Sequence, residues 1–206
     1  MQNVIETEQQ LRDLMGDPVH ELVVVKSTPV LTEPLQHYIR LSPFLCLGTH
    51  SEAGAADLSP RGDAPGFVHI QDEKTLIIPE RPGNKRLDSV LNIISQPQVS
   101  LLFMIPGVQE TVRVNGRGLI TTDPDVLALF PVNNKLPQLA IVVTVEEALG
   151  HCSKAFRRSN LWQQDYVPQE KVPSLSEMMS GHLQLDQATT DMLETAIEDD
   201  AQNNMY

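Results

Sequence analysis

Several features are scarce in this chain of 206 residues. Aromatic residues make up 4% of it, so aliphatic side chains must fill most of the core. No apolar run approaches the roughly 18 residues of a membrane-spanning helix. Residues 1–8 lack the basic and apolar regions of a signal peptide, and two cysteines are too few for a disulfide framework. We therefore expect a cytoplasmic protein with no membrane partner.

Positive charge is also scarce, and it is unevenly placed. The formal net charge is −12, and residues 165–206 hold nine acids and one base, whereas most cations lie between residues 57 and 164. A protein this acidic repels nucleic acid at long range, so we expect no nucleic-acid partner. A local cluster of cations can still bind a small phosphate. We predict a domain at 1–164 and an acidic, partly helical extension at 165–206.

Short apolar runs separated by turn residues dominate residues 44–145. They predict seven or so strands, most of them joined by hairpin-length turns, which is typical of an antiparallel sheet closed into a barrel. A bulge or bend is expected at 116–118, where the sequence reads GRG. The fold class is therefore mainly β, with peripheral helices that cap the barrel. Helices are predicted near residues 5–15, 32–41, 84–95, 123–130, 146–160 and 192–201, and residues 202–206 are predicted to be frayed.

The segment 83–86, which reads GNKR, places two cations at the predicted start of a helix. Apolar residues recur after it at helical spacing, so the helix should begin near Asn84. Lys85 and Arg86 would then lie in the first turn, where the helix dipole is already positive. That placement is unfavourable unless an anion binds there, and free N–H groups beside two cations suit a phosphate. A solvated helix end without a ligand is the competing interpretation.

Other patterns point to no catalytic group or metal site. The run 151–154, HCSK, lacks zinc-ligand spacing, and neither a nucleophile turn nor a dinucleotide-binding glycine pattern is present. Arg61 lies between turn-forming residues, where it either adds to the phosphate site or forms a local ion pair with Asp63. Arg113 alternates with two valines and faces either solvent or a ligand crevice. A phosphate site without a nucleophile or metal predicts a phosphorylated cofactor that brings its own reactivity.

Six short segments match a known pattern. They read SPRGDAPGF at 59–67, IPERPGNKRLDS at 78–89, PQVSLLF at 97–103, ETVRVNG at 110–116, HCSKA at 151–155 and RSNLW at 158–162. Together they resemble the pyridoxamine 5′-phosphate oxidase-like flavoproteins, and more narrowly the bacterial subgroup described as FMN-dependent. The resemblance covers about residues 6–162. It implies an antiparallel split β-barrel, usually a homodimer, with FMN in two crevices at the subunit interface.

The resemblance also implies which residues contact the cofactor. The segment 83–86 stands where the oxidase has the Gly-Ser-Arg-Lys run that grips the FMN phosphate. The strand end at 78–80 would lie along the ring and ribityl chain, Arg61 would reach in from a strand paired with it, and Thr111 stands where the oxidase has a glutamine near the flavin. The implied cofactor-binding residues are Ser59, Arg61, Ile78, Pro79, Glu80, Asn84, Lys85, Arg86, Thr111 and, from the partner subunit, Lys154, Arg157 and Trp162.

One departure from the oxidase limits what the resemblance implies. Its C-terminal Arg-x-His substrate motif is absent, because Trp162 is followed by QQDY. The expected function is therefore that of an FMN-dependent oxidoreductase on an unidentified small molecule, with no catalytic residue assigned. One alternative is a flavin-binding module for storage or sensing, since no side chain resembles a general acid or base. Another is a split barrel that binds a deazaflavin or haem, for which His151 is the candidate axial ligand.

Overall fold

Seven antiparallel strands form the centre of the structure, a computed structural model that describes residues 1–18, 20–163 and 166–206. The strands pair in the order β2-β1-β5-β6-β7-β4-β3. The two hairpins predicted from the turn residues, β1 with β2 and β3 with β4, are confirmed. The strands are β1 (Phe44–His50), β2 (Ala56–Gly62), β3 (His69–Asp72), β4 (Thr75–Pro79), β5 (Gln98–Met104), β6 (Thr111–Thr121) and β7 (Ala140–His151).

One face of this sheet surrounds the core. Along β1, buried residues such as Leu45 and Leu47 alternate with half-buried ones, as the two-residue period of a strand requires. Buried side chains from β1, β4, β5, β6 and β7 form a single cluster, in which Phe67 and Phe103 are the aromatic members. The sheet therefore wraps around one largely aliphatic core, as the low aromatic content predicts.

The two ends of the strand order approach each other without pairing. Strand β2 is one edge of the sheet, and β4 lies next to the other edge, between β7 and β3. Side chains at the ends of β2 and β4 nevertheless meet, because Arg61 pairs with Glu80 and Asp63 pairs with Arg81. The sheet is thus a barrel that stays open along one seam, and the predicted antiparallel split β-barrel is confirmed. The predicted backbone pairing of the Arg61 strand with β4 is wrong, since β2 pairs with β1.

Two of the helices pack against several barrel strands. Helix α4 packs against β1, β2 and β6, and α3 packs against β6 and β7. None of the helices in the described part of the chain combines the length and the apolar character that a bilayer crossing requires. The helices are α1 (Glu8–Met15), α2 (Glu21–Val24), α3 (Glu33–Leu41), α4 (Asp88–Ser95), α5 (Pro124–Leu127), α6 (Lys154–Ser159), α7 (Leu175–Leu183) and α8 (Gln187–Asn203).

The predicted helix at 146–160 is wrong over its first half. Residues 146–151 continue β7, and only α6 at the far end is helical. The segment pairs with the beginning of β6 and buries Ala148 and Leu149, so tertiary pairing overrides its local helical preference. The predicted boundary between residues 164 and 165 lies outside the described residues. Beyond it, the acidic extension holds α7 and α8, which pack on each other.

Gly116 forms the bulge that the GRG sequence predicts. The register between β6 and β7 shifts between Asn115 and Gly116. A Cβ atom at position 116 would overlap the backbone carbonyl oxygen of Thr144, which cannot move without disrupting β7. The absence of a side chain therefore allows the close approach of the two longest strands.

We expect Gly116→Ala to lower the free energy of unfolding by about 1–3 kcal/mol, because an added methyl group would overpack the bulge. Gly150→Ala is the matched control, since it lies in the same strand pair and a Cβ there meets nothing within 4 Å. The control should change the free energy of unfolding by less than about 0.5 kcal/mol. Urea denaturation measures both, and equal small losses would contradict the steric interpretation.

Candidate functional site

A cleft of about 830 Å³ lies beside the open seam. Its volume falls within the range of roughly 300–1,000 Å³ that is typical of small-molecule sites. The walls come from β2, from the segment that joins β4 to α4, and from the segment before β7. The main lining ranges are 57–62, 79–89 and 135–139, together with Tyr206.

Two ion pairs join the sides of the seam. Arg61 pairs with Glu80, and their side chains are 15% and 18% exposed. Arg81 Nε donates to Asp63 Oδ2 at 2.7 Å, and these side chains are 18% and 5% exposed. The local Arg61–Asp63 pair that the sequence offered as an alternative does not form, because each residue meets an opposite charge across the seam.

Asp63 is the most heavily engaged acid at the seam. Besides Arg81, it accepts hydrogen bonds from the Ala64 N–H at 2.7 Å and from the Tyr206 hydroxyl at 2.9 Å. Burial acts to raise the pKa of Asp63, but these three donors and the charge of Arg81 outweigh it, so the pKa is lowered. Asp63 is therefore a carboxylate at neutral pH, and the same hydrogen bond raises the pKa of Tyr206.

Lys85 and Arg86 lie in the loop before α4, and not in its first turn as predicted. The helix begins at Asp88, after Leu87 and Lys85 adopt left-handed backbone conformations with φ of 61° and 59°. Asn84 Oδ1 accepts the Arg86 N–H at 3.0 Å, which stabilises the turn of the loop. The helix dipole explains why α4 begins at Asp88. The carboxylate of Asp88 stabilises the positive end of the helix, whereas Lys85 and Arg86 in the first turn would destabilise it.

The loop keeps its positive charge available to the cleft. Arg86 Nε donates to Asp88 Oδ2 at 2.8 Å, and this hydrogen bond with the Asp88 charge raises the pKa of Arg86. Lys85 forms no salt bridge with any residue that the structure describes. Five cations and three acids line the cleft, in a chain whose net charge is −12. They are Arg61, Arg81, Lys85, Arg86 and Lys135, against Asp57, Glu80 and Asp88.

Arg61 also carries an unused donor. Its Nε atom is buried and has no hydrogen-bond partner among residues 1–18, 20–163 and 166–206. A buried N–H without an acceptor is costly, by about 1–3 kcal/mol. An acceptor oxygen of a ligand would remove that cost only if the Arg61 side chain moved, because solvent does not reach this atom.

The residues that the resemblance implied fall into two groups. Those that line the cleft are Ser59, Arg61, Pro79, Glu80, Asn84, Lys85 and Arg86. The others do not line it: Ile78 is fully buried in the core, Thr111 is buried beside His151 at the start of β6, and Lys154, Arg157 and Trp162 lie on or just after α6.

The region after α6 is held against the loop before β6. Trp162 Nε1 donates to the Val108 carbonyl oxygen at 2.8 Å, and its ring stacks on Phe156 with 5.8 Å between centroids. Arg157 Nε donates to Ser153 Oγ at 3.0 Å. These contacts fix Arg157 and Trp162 away from the cleft of their own chain.

Sequence reasoning missed five residues of the cleft and seam. Asp63 lies in the segment 59–67 and Arg81 in the segment 78–89, and their opposite charges could have indicated an ion pair between the two segments. Lys135 and Tyr206 had no local signal, because they reach the cleft from distant parts of the chain. Asp57 was also missed; it accepts hydrogen bonds from Thr49 and Ser89 and so links β2 to the start of α4.

We expect Asp63→Asn to lower the free energy of unfolding at pH 7 by about 1.5–3 kcal/mol, the range for hydrogen bonds to a charged group. The lowered pKa means that the carboxylate stabilises the fold above its unfolded pKa, near 3.8, and loses that effect as pH falls through the folded pKa. The difference between variant and wild type should therefore shrink below pH 4.

Glu33→Gln is the control for this experiment, because Glu33 also pairs with an arginine but its side chain is 75% exposed. It should change the free energy of unfolding by less than about 1 kcal/mol at either pH. Urea denaturation at pH 7 and pH 3.5 measures both variants. A deficit of Asp63→Asn that stays constant with pH would show that its charge is not what stabilises the seam.

Comparison with known proteins was made by sequence and by structure. The sequence profile described as pyridoxamine 5′-phosphate oxidase matches residues 31–152. Among curated proteins, no sequence match was found.

The solved structures that the chain matches share little sequence with it. HupZ from Group A Streptococcus has a TM-score of 0.49 and 16% identity, over 59% of this chain and 99% of that chain. A protein described as a candidate pyridoxamine 5′-phosphate oxidase, from Lactobacillus delbrueckii, has a TM-score of 0.47 and 20% identity, over 59% and 95%. An FMN-binding protein from Syntrophomonas wolfei has a TM-score of 0.45 and 11% identity, over 70% and 96%.

The sequence profile is the comparison that decides the family. Its match covers more than half of the chain and runs from just before α3 to the end of β7, and so includes every strand of the split barrel. The chain belongs to the pyridoxamine 5′-phosphate oxidase family.

Proposed function

We propose that the protein is an FMN-binding flavoprotein and an FMN-dependent oxidoreductase on a small molecule. The observation that carries the proposal is the convergence of Arg61, Lys85 and Arg86 on one cleft of suitable volume. These residues come from β2 and from the loop before α4, which are separate in sequence. The resemblance assigns all three to the cofactor.

The loop before α4 suits the phosphate end of FMN. Lys85 has no salt-bridge partner among the described residues, and a guanidinium has five N–H donors, so Arg86 can keep Asp88 on Nε and offer its terminal nitrogens. A phosphate there would accept charge-assisted hydrogen bonds from both side chains. The carboxylates that line the cleft do not exclude a phosphate, because cationic side chains outnumber acidic ones along its walls.

The remaining walls suit a large, partly apolar ring. Leu58, Leu87 and Leu136 line the cleft and are 69%, 45% and 53% exposed, which is unfavourable unless something covers them. Burying their surface would contribute about 25 cal/mol for each Å² removed from water. Arg61 lines the cleft and would offer guanidinium N–H groups that Glu80 does not use to an oxygen of the ligand. FMN would supply the electron transfer, and these residues would bind and orient it.

A flavin-binding module without turnover is the second candidate. The observation that favours it is that each carboxylate lining the cleft is already engaged: Glu80 by Arg61, Asp88 by Arg86, and Asp57 by Ser89. No histidine or cysteine is among the described lining residues. His151 lies beside Thr111 at the end of β7, so a haem that it ligated would not occupy the cleft of the same chain.

We also infer a homodimer in which α6 and the residues after it approach the partner's cleft. Support comes from the position of Lys154, Arg157 and Trp162 outside the cleft of their own chain. Further support comes from α4, where Leu91 and Ile94 are 58% and 69% exposed beside the cleft. Such apolar exposure is typical of a protein–protein interface.

Reduction separates the two candidate functions. An oxidoreductase should show bleaching of the flavin absorbance near 450 nm with NAD(P)H or another donor, and reoxidation coupled to a substrate. A storage or sensing module should release or retain FMN without coupled turnover. A purified protein that has no flavin absorbance and does not acquire it with added FMN would contradict both.

The double variant Lys85→Ala with Arg86→Ala should weaken FMN binding about a hundredfold or more, since two charge-assisted contacts are lost. Riboflavin binding should change little, because riboflavin has no phosphate. Quenching of flavin fluorescence measures both ligands. Lys74→Ala with Lys171→Ala removes the same charge outside the cleft and should leave FMN affinity within about twofold. Equal losses for FMN and riboflavin would show that the phosphate binds elsewhere.

Subunit mixing tests whether the partner completes the cleft. Trp162→Ala should also weaken FMN binding, although Trp162 does not line the cleft of its own chain. After unfolding and refolding of the Trp162→Ala and loop variants together, each heterodimer would contain one intact cleft. Random pairing in a symmetric dimer should then restore about a quarter of the binding sites. Titration with FMN counts them, and no restoration would show that Trp162 does not complete the partner's cleft.

A further inference from the structure

The acidic extension places a tyrosine in the cleft. The prediction that residues 202–206 are frayed is wrong, since α8 continues to Asn203 and Tyr206 lines the cleft. Its hydroxyl donates to Asp63 Oδ1 at 2.9 Å, and its carbonyl oxygen accepts from Lys135 Nζ at 2.7 Å. The guanidinium of Arg81 lies 5.7 Å from the centre of its ring, within cation–π distance.

Tyr206 is also what holds the extension to the barrel by hydrogen bonds. Across the described residues, each hydrogen bond between 166–206 and the rest of the chain is made by Tyr206. Helices α7 and α8 satisfy their own buried polar groups internally, where Ser176 bonds to Glu194 and Ser180 to Thr190. The position of Tyr206 therefore depends on specific contacts at the seam.

Tyr206 forms a wall of the cleft and does not fill it. The volume of about 830 Å³ is present with Tyr206 in place, so a small-molecule ligand can enter without displacing it. The two cations beside Tyr206 are already engaged, Arg81 by Asp63 and Lys135 by the Tyr206 carbonyl oxygen, whereas Lys85 forms no salt bridge with any described residue. The phosphate end of the cleft is then at Lys85 and Arg86, and Tyr206 faces the remainder of the ligand.

We propose that Tyr206 is a ligand-binding residue, delivered by the acidic extension to contact the part of the cofactor that lacks the phosphate. Asp63, Arg81 and Lys135 are its positioning residues. The proposal rests on flavin binding in this cleft. It assigns the extension a role in the site, although the extension lies beyond the residues that match the family.

Tyr206→Ala tests the contact in the full-length protein. FMN and riboflavin should both bind about tenfold more weakly, since an aromatic contact and the area that it buries are lost. This pattern differs from that of the Lys85 and Arg86 variants, which should discriminate between the two ligands. Tyr166→Ala is the control, because Tyr166 belongs to the same extension and is 63% exposed. It should bind both ligands like the wild type.

Limited proteolysis of the same variants measures whether Tyr206 holds the extension in place when FMN binds. FMN should slow cleavage within 172–206 in the wild type and in Tyr166→Ala, and should give no protection in Tyr206→Ala. A wild type that binds FMN together with an unchanged Tyr206→Ala would overturn this inference and leave the proposed function standing. A wild type that binds neither flavin would overturn the proposed function, and this inference with it.

Discussion

Closure of the barrel seam by charged side chains is the constraint on which the rest of the structure depends. Among the residues that the structure describes, β2 has no strand on its outer edge, so side chains have to join it to the region after β4. Arg61 with Glu80 and Asp63 with Arg81 make that connection while mostly shielded from water. Removing one partner of a partly buried ion pair strongly destabilises the fold, because the other charge is left uncompensated. A seam built from polar groups can also open to a ligand in a way that a continuous ladder cannot.

Electrostatics also explains the position of Lys85 and Arg86. With Asp88 at the start of α4, the helix dipole is satisfied by an acid, and Lys85 and Arg86 are displaced into the preceding loop. Left-handed conformations at Lys85 and Leu87 are unfavourable for residues with side chains, so the loop must be held by its surroundings. The Asn84–Arg86 hydrogen bond and the Arg86–Asp88 pair provide that support. The resulting loop presents its charge to the cleft and does not extend the helix.

Local signals predicted most of the fold. Hairpin turns, strand alternation and the bulge at Gly116 depend on neighbouring residues, and all three are confirmed. Local patterns gave wrong predictions where a distant partner decides the structure. Residues 146–151 were predicted to be helical but pair with β6. Arg61 forms its ion pair with Glu80 and not with the nearby Asp63. The cleft was partly predictable because the loop with Lys85 and Arg86 is a continuous motif. Tyr206 was not, because 143 residues separate it from Asp63 in the sequence.

Asp63 connects the barrel, the cleft and the extension through one carboxylate. Its two oxygens accept from the backbone, from Arg81 across the seam and from Tyr206 at the end of the extension. Hydrogen bonds that share an acceptor are coupled, since each donor stabilises the charge that the others need. An interaction that holds Arg81 in place should therefore stabilise the hydrogen bond between Tyr206 and Asp63. A ligand that covers Tyr206 should in turn stabilise the Asp63–Arg81 pair at the seam. Closure of the barrel and docking of the extension thus depend on the same carboxylate, to which the proposed ligand would be coupled through Tyr206.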